Sequence, residues 1–182
     1  MKALVIAASV AALPLAAIPV AAAAQSASTF SPVTVYGALG YAGSSTDGAD
    51  LGAIQGRLGA RFGEYVGVEG ELAGGVKNDH VNIGGTDTSI HLRHQEAAYG
   101  VGFVPITPKL DLIGRVGYGH SDIKASGPGY SVSGGADSWN YGAGAQYFVD
   151  NNNGVRVDYT RHSFLHSDAA ADVWSLGYVR KF

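Results

Sequence analysis

Ile54 to Val76 reads I-Q-G-R-L-G-A-R-F-G-E-Y-V-G-V-E-G-E-L-A-G-G-V. Ile54, Leu58, Ala60 and Phe62 share one parity, while Gln55, Arg57 and Arg61 share the other. After Gly63-Glu64-Tyr65, Val66, Val68, Leu72 and Val76 alternate with Glu69 and Glu71. A period of two is the mark of strands with one apolar and one polar face.

With Gly63 to Tyr65 as a three-residue turn, Phe62 pairs with Val66. Gly59 then falls opposite Glu69 and Arg57 opposite Glu71, with Arg61 one diagonal step from Glu69. Opposite charges across a ladder are worth roughly 0.2 to 1 kcal/mol when exposed, and an enclosed pair matters more because losing one partner strands the other. The hairpin therefore predicts a compact ionic cluster on one face. By itself it fits a soluble strand pair, or a membrane pair with the polarity turned inside out.

The rest of the chain separates these two. Met1 to Ala24 carries one cation, Lys2, then an alanine-rich apolar run ending Ala22-Ala23-Ala24. Short positive start, apolar centre and small residues at the end predict a cleaved signal peptide over 1–24 and a single mature domain over 25–182. Pro14, Pro19 and the small-residue site argue against a membrane anchor. The chain has 12 basic and 15 acidic residues and no basic patch, so nucleic acid is not an expected partner. It has no cysteine, which removes disulfides and thiolate chemistry, and its 27 glycines leave few helix-forming windows.

Eight period-two segments follow: Val33–Ala42, Leu51–Phe62, Val66–Val76, Gln95–Val104, Leu110–Gly119, Ser138–Val149, Val155–Phe164 and Asp172–Phe182. Each is about 10 to 12 residues, matching a tilted membrane-spanning strand. Short connections (63–65, 105–109, 150–154) alternate with long polar ones (77–94, 120–137). That sorting with an even strand count is the pattern of an all-β, eight-stranded antiparallel up-and-down transmembrane β-barrel. A soluble lipocalin-like barrel, the competing architecture, has no reason to sort its loops this way.

The faces also sort. Val33, Val35, Leu39 and Tyr41, then Ala97, Tyr99, Val101 and Phe103, then Leu110, Leu112, Val116 and Tyr118, and Val155, Val157 and Tyr159 are read as lipid-facing rows. The opposite parity holds Glu96, Asp111, Arg115, Gln146, Arg156, Asp158 and Thr160. Arg115, Arg156 and Asp158 join Arg57, Arg61, Glu69 and Glu71 in the expected interior cluster. With the amino end in the periplasm, Tyr41, Tyr118, Trp139, Phe164 and Trp174 form an outer aromatic girdle. Phe62, Tyr65, Phe103, Tyr147, Tyr178 and Phe182 form an inner one. Ile90 to His94 alternates out of phase with the strand that follows, which predicts a bulge or an extension above the bilayer, the latter preferred because Arg93 is costly in lipid.

The closing segment V-W-S-L-G-Y-V-R-K-F places Phe182, Tyr178, Leu176 and Trp174 on one parity. With Ala97–Gly119 and Tyr141–Tyr159 it resembles the small Gram-negative, porin-like, outer-membrane protein A type barrels, over the whole mature chain. That resemblance implies that Phe182 and Tyr178 are read by the barrel-assembly machinery, that outer-membrane lipids and lipopolysaccharide surround the wall, and that the protein is an outer-membrane monomer. Arg180 departs from the apolar residue such strands carry two before the end, and no peptidoglycan-binding domain follows Phe182.

Candidate chemistry is weak. Glu69 and Glu71 share a face as an acid/base pair would, yet the matching arginines favour two ionised carboxylates. His162-Ser163 and His166-Ser167-Asp168 suggest a lipid A-modifying hydrolase, but neighbours on a strand point to opposite faces. His80, His91, His94 and His120 lack a spacing that enforces a metal site. The expectation is a non-enzymatic, cofactor-free envelope protein with a structural or surface-interaction role and at most a narrow pore.

Overall fold

The computed structural model describes residues 32–46, 49–77, 79–83, 86–127, 130–165, 167 and 169–182, so the expected signal peptide lies outside the described residues. Among the described residues there are nine strand segments: β1 (Val33–Thr46), β2 (Ala49–Phe62), β3 (Val66–Lys77), β4 (Asp79–Ile83), β5 (Thr86–Thr107), β6 (Leu110–Gly127), β7 (Tyr130–Phe148), β8 (Asn153–Phe164) and β9 (Ala170–Lys181). Each pairs antiparallel with its neighbour, β1 pairs with β9, and β3 pairs with β5. β3 and β4 both lie against β5 and act as one stave with a one-residue slip between them. The ring is therefore a closed barrel of eight staves.

Its stagger follows from the register. Moving across the ladder from Val35 leads through Ala60, Val68, Gly100, Val116, Tyr141, Arg161 and Asp172 back to β1 at Ser45, ten residues further on. A stagger of that size on eight strands tilts them by roughly 35–45°. Eight strands at that tilt enclose an interior just wide enough for side chains to fill.

The β2–β3 hairpin has the register its sequence dictates: Phe62 opposite Val66, Gly59 opposite Glu69, Arg57 opposite Glu71. Gly63 has φ 67°, the left-handed conformation that suits glycine at a tight turn. The β7–β8 turn is held by Asp150, whose carboxylate accepts from the backbone N–H groups of Asn152 (2.8 Å) and Asn153 (2.7 Å).

A belt of exposed apolar side chains encircles the wall, including Leu39, Leu58, Leu72, Leu112, Val157 and Leu176. Tyr41, Tyr118, Trp139 and Trp174 edge it at one end, and Phe62, Tyr65, Tyr147, Tyr178 and Phe182 at the other. Two expected girdle residues do not belong. Phe103 is 2 % exposed inside the barrel, and Phe164 is half-buried on the inward parity of β8.

From Glu96 to Val104, β5 is inverted relative to its expected facing. Tyr99, Val101 and Phe103 are buried inside and Ala97 points the same way, whereas Glu96, Ala98, Gly100, Gly102 and Val104 are exposed outside. Cross-strand partners share a face, and Tyr99 stands directly opposite Glu69. Once Glu69 faces in, Tyr99 must.

The long polar connections are also corrected. Much of 77–94 and 120–137 is strand, since β5, β6 and β7 run to 22, 18 and 19 residues and β4 pairs with the start of β5. β6 and β7 stay paired out to Gly127 and Tyr130. The phase change before Gln95 is both of the expected things at once. A register shift between Leu92 and His94 puts exposed Arg93 in a bulge, and the strand continues beyond it.

Candidate functional site

The inward side chains stack in layers. Toward the short-turn end lies an apolar cluster of Tyr36, Val101, Phe103, Ile113, Phe148 and Val179 that also includes Tyr99. The Tyr36 and Phe103 rings meet edge to face at 6.1 Å. Gly59, opposite Tyr36 on β2, makes this possible, because a Cβ there would come within 2.4 Å of the Tyr36 ring.

Above it runs an unbroken chain of alternating charge. Arg115 Nη2 donates to Glu71 Oε2 at 2.5 Å, and Arg57 Nε donates to the same oxygen at 2.8 Å. Arg57 Nη1 reaches Asp158 Oδ2 at 2.5 Å, and Arg156 Nε reaches both Asp158 oxygens at 3.0 Å. The far end of the Arg156 guanidinium forks onto Glu69, which also accepts from Tyr36 Oη at 2.7 Å. Three arginines thus face three carboxylates, all buried, and their charges cancel. Gln55 and Ser175 accept from Arg57 Nη2 at 2.9 and 3.0 Å. Tyr99 Oη donates to Glu71 at 3.2 Å while its ring lies 3.6 Å beneath the Arg115 guanidinium. The polar chain continues upward from Tyr99 through Asn140 to Ser138.

Six of the seven expected interior ionic residues therefore touch in series. Arg61 does not join them. It pairs with Asp111 at 2.8 Å nearer the short turns, lies over the Phe103 ring at 4.4 Å and donates to the Glu64 carbonyl; Gln146 donates to the same Asp111 oxygen at 2.8 Å. Tyr36, Tyr99, Gln55 and Ser175 are members that the sequence pattern missed. Tyr36 had a usable signal, since it lies on the β1 parity opposite to that of Val33 and Val35; the facing of Tyr99 follows only from the β3–β5 register.

This arrangement fills the lumen. The cavity bordered by Ala38, Gly40, Gln55, Arg57, Arg156 and Ser175 has room for about one water. Glu69 and Glu71 each accept from arginine, so neither is set up to hold a catalytic proton. His162 is buried and faces in, while Ser163 lies on the other parity of β8; the side chains of His166 and Asp168 lie outside the described residues. Among the described residues no three His, Cys, Asp or Glu side chains are grouped to hold a metal, and His80 and His91 fall outside that description.

Outside the lumen, two polar groups sit at the outer end. Arg161 pairs with Asp172 at 3.0 Å, and Tyr159 Oη donates to the same carboxylate at 2.7 Å. On the extended strands His94, Asp122, His120 and Asp137 form a row, with His120 Nδ1 2.6 Å from Asp137 Oδ1.

A closed eight-stave ring with an apolar belt, two aromatic edges and a charge-neutral filled interior defines a small outer-membrane barrel. The chain belongs to the outer membrane protein beta-barrel domain family, whose model matches residues 8–182. In structure it is similar to Ail, the attachment invasion locus protein of Yersinia pestis, at 24% identity and a TM-score of 0.61 over 82% of this chain and 99% of that one. It is also similar to the N-terminal barrel domain of Pseudomonas aeruginosa OprF, at 16% identity and a TM-score of 0.60 over 84% and 99% of the two chains. Neisserial surface protein A matches at 13% identity and a TM-score of 0.55 over 85% and 100%. Identities this low speak to the fold alone. No curated protein matches the chain in sequence. Family membership makes this an outer-membrane protein.

Proposed function

We propose that this barrel serves the cell envelope structurally and through its outer surface, as a monomer that is not an enzyme and has at most an ion-sized path through its lumen. The observation that carries this reading is the buried chain from Arg115 to Glu69. Opening a water-filled passage would separate several enclosed ion pairs at once, at a cost of several kcal/mol each. Solute transport is disfavoured, which leaves the wall and the extended outer strands as working surfaces. Export by the 1–24 segment and reading of Phe182 and Tyr178 by the assembly machinery belong to the same proposal, as does lipopolysaccharide as the surrounding lipid.

Ail was crystallised with the heparin analogue sucrose octasulfate. Among the described side chains beyond the outer aromatic edge, Lys77, Arg93 and Lys124 lie on three different strands, with Asp122 and Asp137 on β6 and β7. A polysulfated sugar requires clustered cations.

Planar-bilayer recording on the refolded full chain tests the reading. Silent membranes or rare, small, ion-level steps are expected. Stable conductance on the scale of a water-filled porin would overturn it.

A further inference from the structure

Four side chains beyond the outer aromatic edge, on three neighbouring strands, alternate base and acid. Asp137 on β7 meets His120 Nδ1 on β6 at 2.6 Å; His120 Nε2 lies 3.6 Å from Asp122 Oδ1; and Asp122 Oδ2 lies 3.1 Å from His94 Nε2 on β5. Gly135 leaves the space this needs, since a Cβ there would meet His120 Nε2 at 2.7 Å and Asp122 Oδ1 at 3.0 Å. A neutral imidazole has one N–H and an imidazolium has two. Only protonated His120 turns an N–H toward Asp137 and toward Asp122 together, bonding the first and attracting the second by charge, and His94 attracts Asp122 most when it too is protonated. Once His120 is neutral it keeps one N–H, so one of its two carboxylates faces a lone pair and the attraction between charges is gone.

We propose that His94, His120, Asp122 and Asp137 form a proton-operated clasp that ties β5, β6 and β7 together at the outer surface in acid and releases them as the pH rises. The charges around it reinforce that direction. Glu96 is the cross-strand partner of His120, and Tyr118 also faces Asp137, so acid and acceptor groups crowd His120 from both flanking strands. Arg93 beside His94 and Lys124 further out on β6 are the cations near it, while β7 presents Gly135 and Ser133 on that face. The hydrogen bond to Asp137, followed by the charges of Asp137 and Asp122, holds the His120 imidazole above its ordinary value of about 6.5. A raised value means that the clasp is complete below about 6.5 and is lost as pH climbs through the folded-state value.

The test uses the refolded full chain in nanodiscs, with imidazole titration by NMR and amide protection of residues 120–137 compared at pH 5.5 and 8.5. His120 should titrate above 6.5, and protection factors should fall at the higher pH. His120→Gln should remove the difference between the two pH values, and Asp137→Asn should return the titration toward 6.5. Gly135→Ala keeps every titrating group but displaces His120, so it should also weaken protection at pH 5.5. An unchanged boiled-versus-unboiled gel shift verifies that each variant retains its barrel. His120 titrating at or below 6.5, equal protection at both pH values in the parent, or no effect of Gly135→Ala would each sink the clasp.

Discussion

At the residue scale, Arg57 has the most to lose. It donates to Glu71, Asp158, Gln55 and Ser175 from inside the barrel, so its removal leaves three buried carboxylates facing only Arg115 and Arg156. Arg57→Ala is expected to destabilise the folded barrel by about 3–5 kcal/mol, read as a lower urea midpoint for the gel-mobility shift in lipid vesicles. A smaller change is expected of Tyr36→Phe. It deletes one hydrogen bond to Glu69 but keeps the ring on Gly59, so the loss should be about 1–3 kcal/mol for a bond to a charged acceptor. These residues also mark how far the sequence reached. Arg57 opposite Glu71 was legible from the turn length alone. The junction from Arg57 to Asp158 joins positions 101 residues apart, and no local spacing carries that information.

At the element scale, β5 is where period-two reading gave the wrong face. The segment from Ala97 to Phe103 alternates tyrosine, valine and phenylalanine with alanine and glycine, and hydrophobicity alone assigns the larger set to lipid. The barrel instead puts the rings inside, where Tyr99 has Glu71 and Asn140 as partners, and leaves Ala98, Gly100 and Gly102 against lipid. This facing has a direct check. Gly100→Arg, level with Val68 and Val116 in the middle of the apolar belt, should cost about 2–4 kcal/mol in vesicle refolding, as a cation does on the lipid face near the midplane. The reverse facing would put that arginine among the lumen carboxylates at little cost. A second element, the β7–β8 turn, depends on Asp150, whose carboxylate is held below its ordinary range by the Asn153 side chain and the Asn152 and Asn153 amides. A depressed value stabilises above the unfolded pKa and is lost as pH falls through the folded one. Asp150→Ala should therefore raise amide exchange at Asn152 and Asn153 near neutral pH and make little difference in strong acid.

At the scale of the whole molecule, the interior is neutral because each guanidinium in the Arg115-to-Glu69 chain is matched by a carboxylate, and the ring has no free edge within the wall. All backbone groups of the spanning region are then satisfied by neighbouring strands, the condition for crossing lipid without helices. Heating before electrophoresis should change the mobility of the protein in SDS, since the unheated ring keeps its ladder. An unshifted band would contradict a closed barrel.

What the sequence determined by itself were the properties carried by local order: strands from the period of two, turn positions from the breaks in that period, the β2–β3 register from a three-residue turn, and a membrane wall from strand length and aromatic edges. What only the tertiary structure decided were the facing of β5, the separation of Arg61 from the main ionic chain, the conversion of long polar connections into paired strands, and the meeting of His94, His120, Asp122 and Asp137. Each depends on which residues the ten-residue stagger brings level around the ring. A closed ladder has to be completed before that stagger has a value, and no single segment contains it.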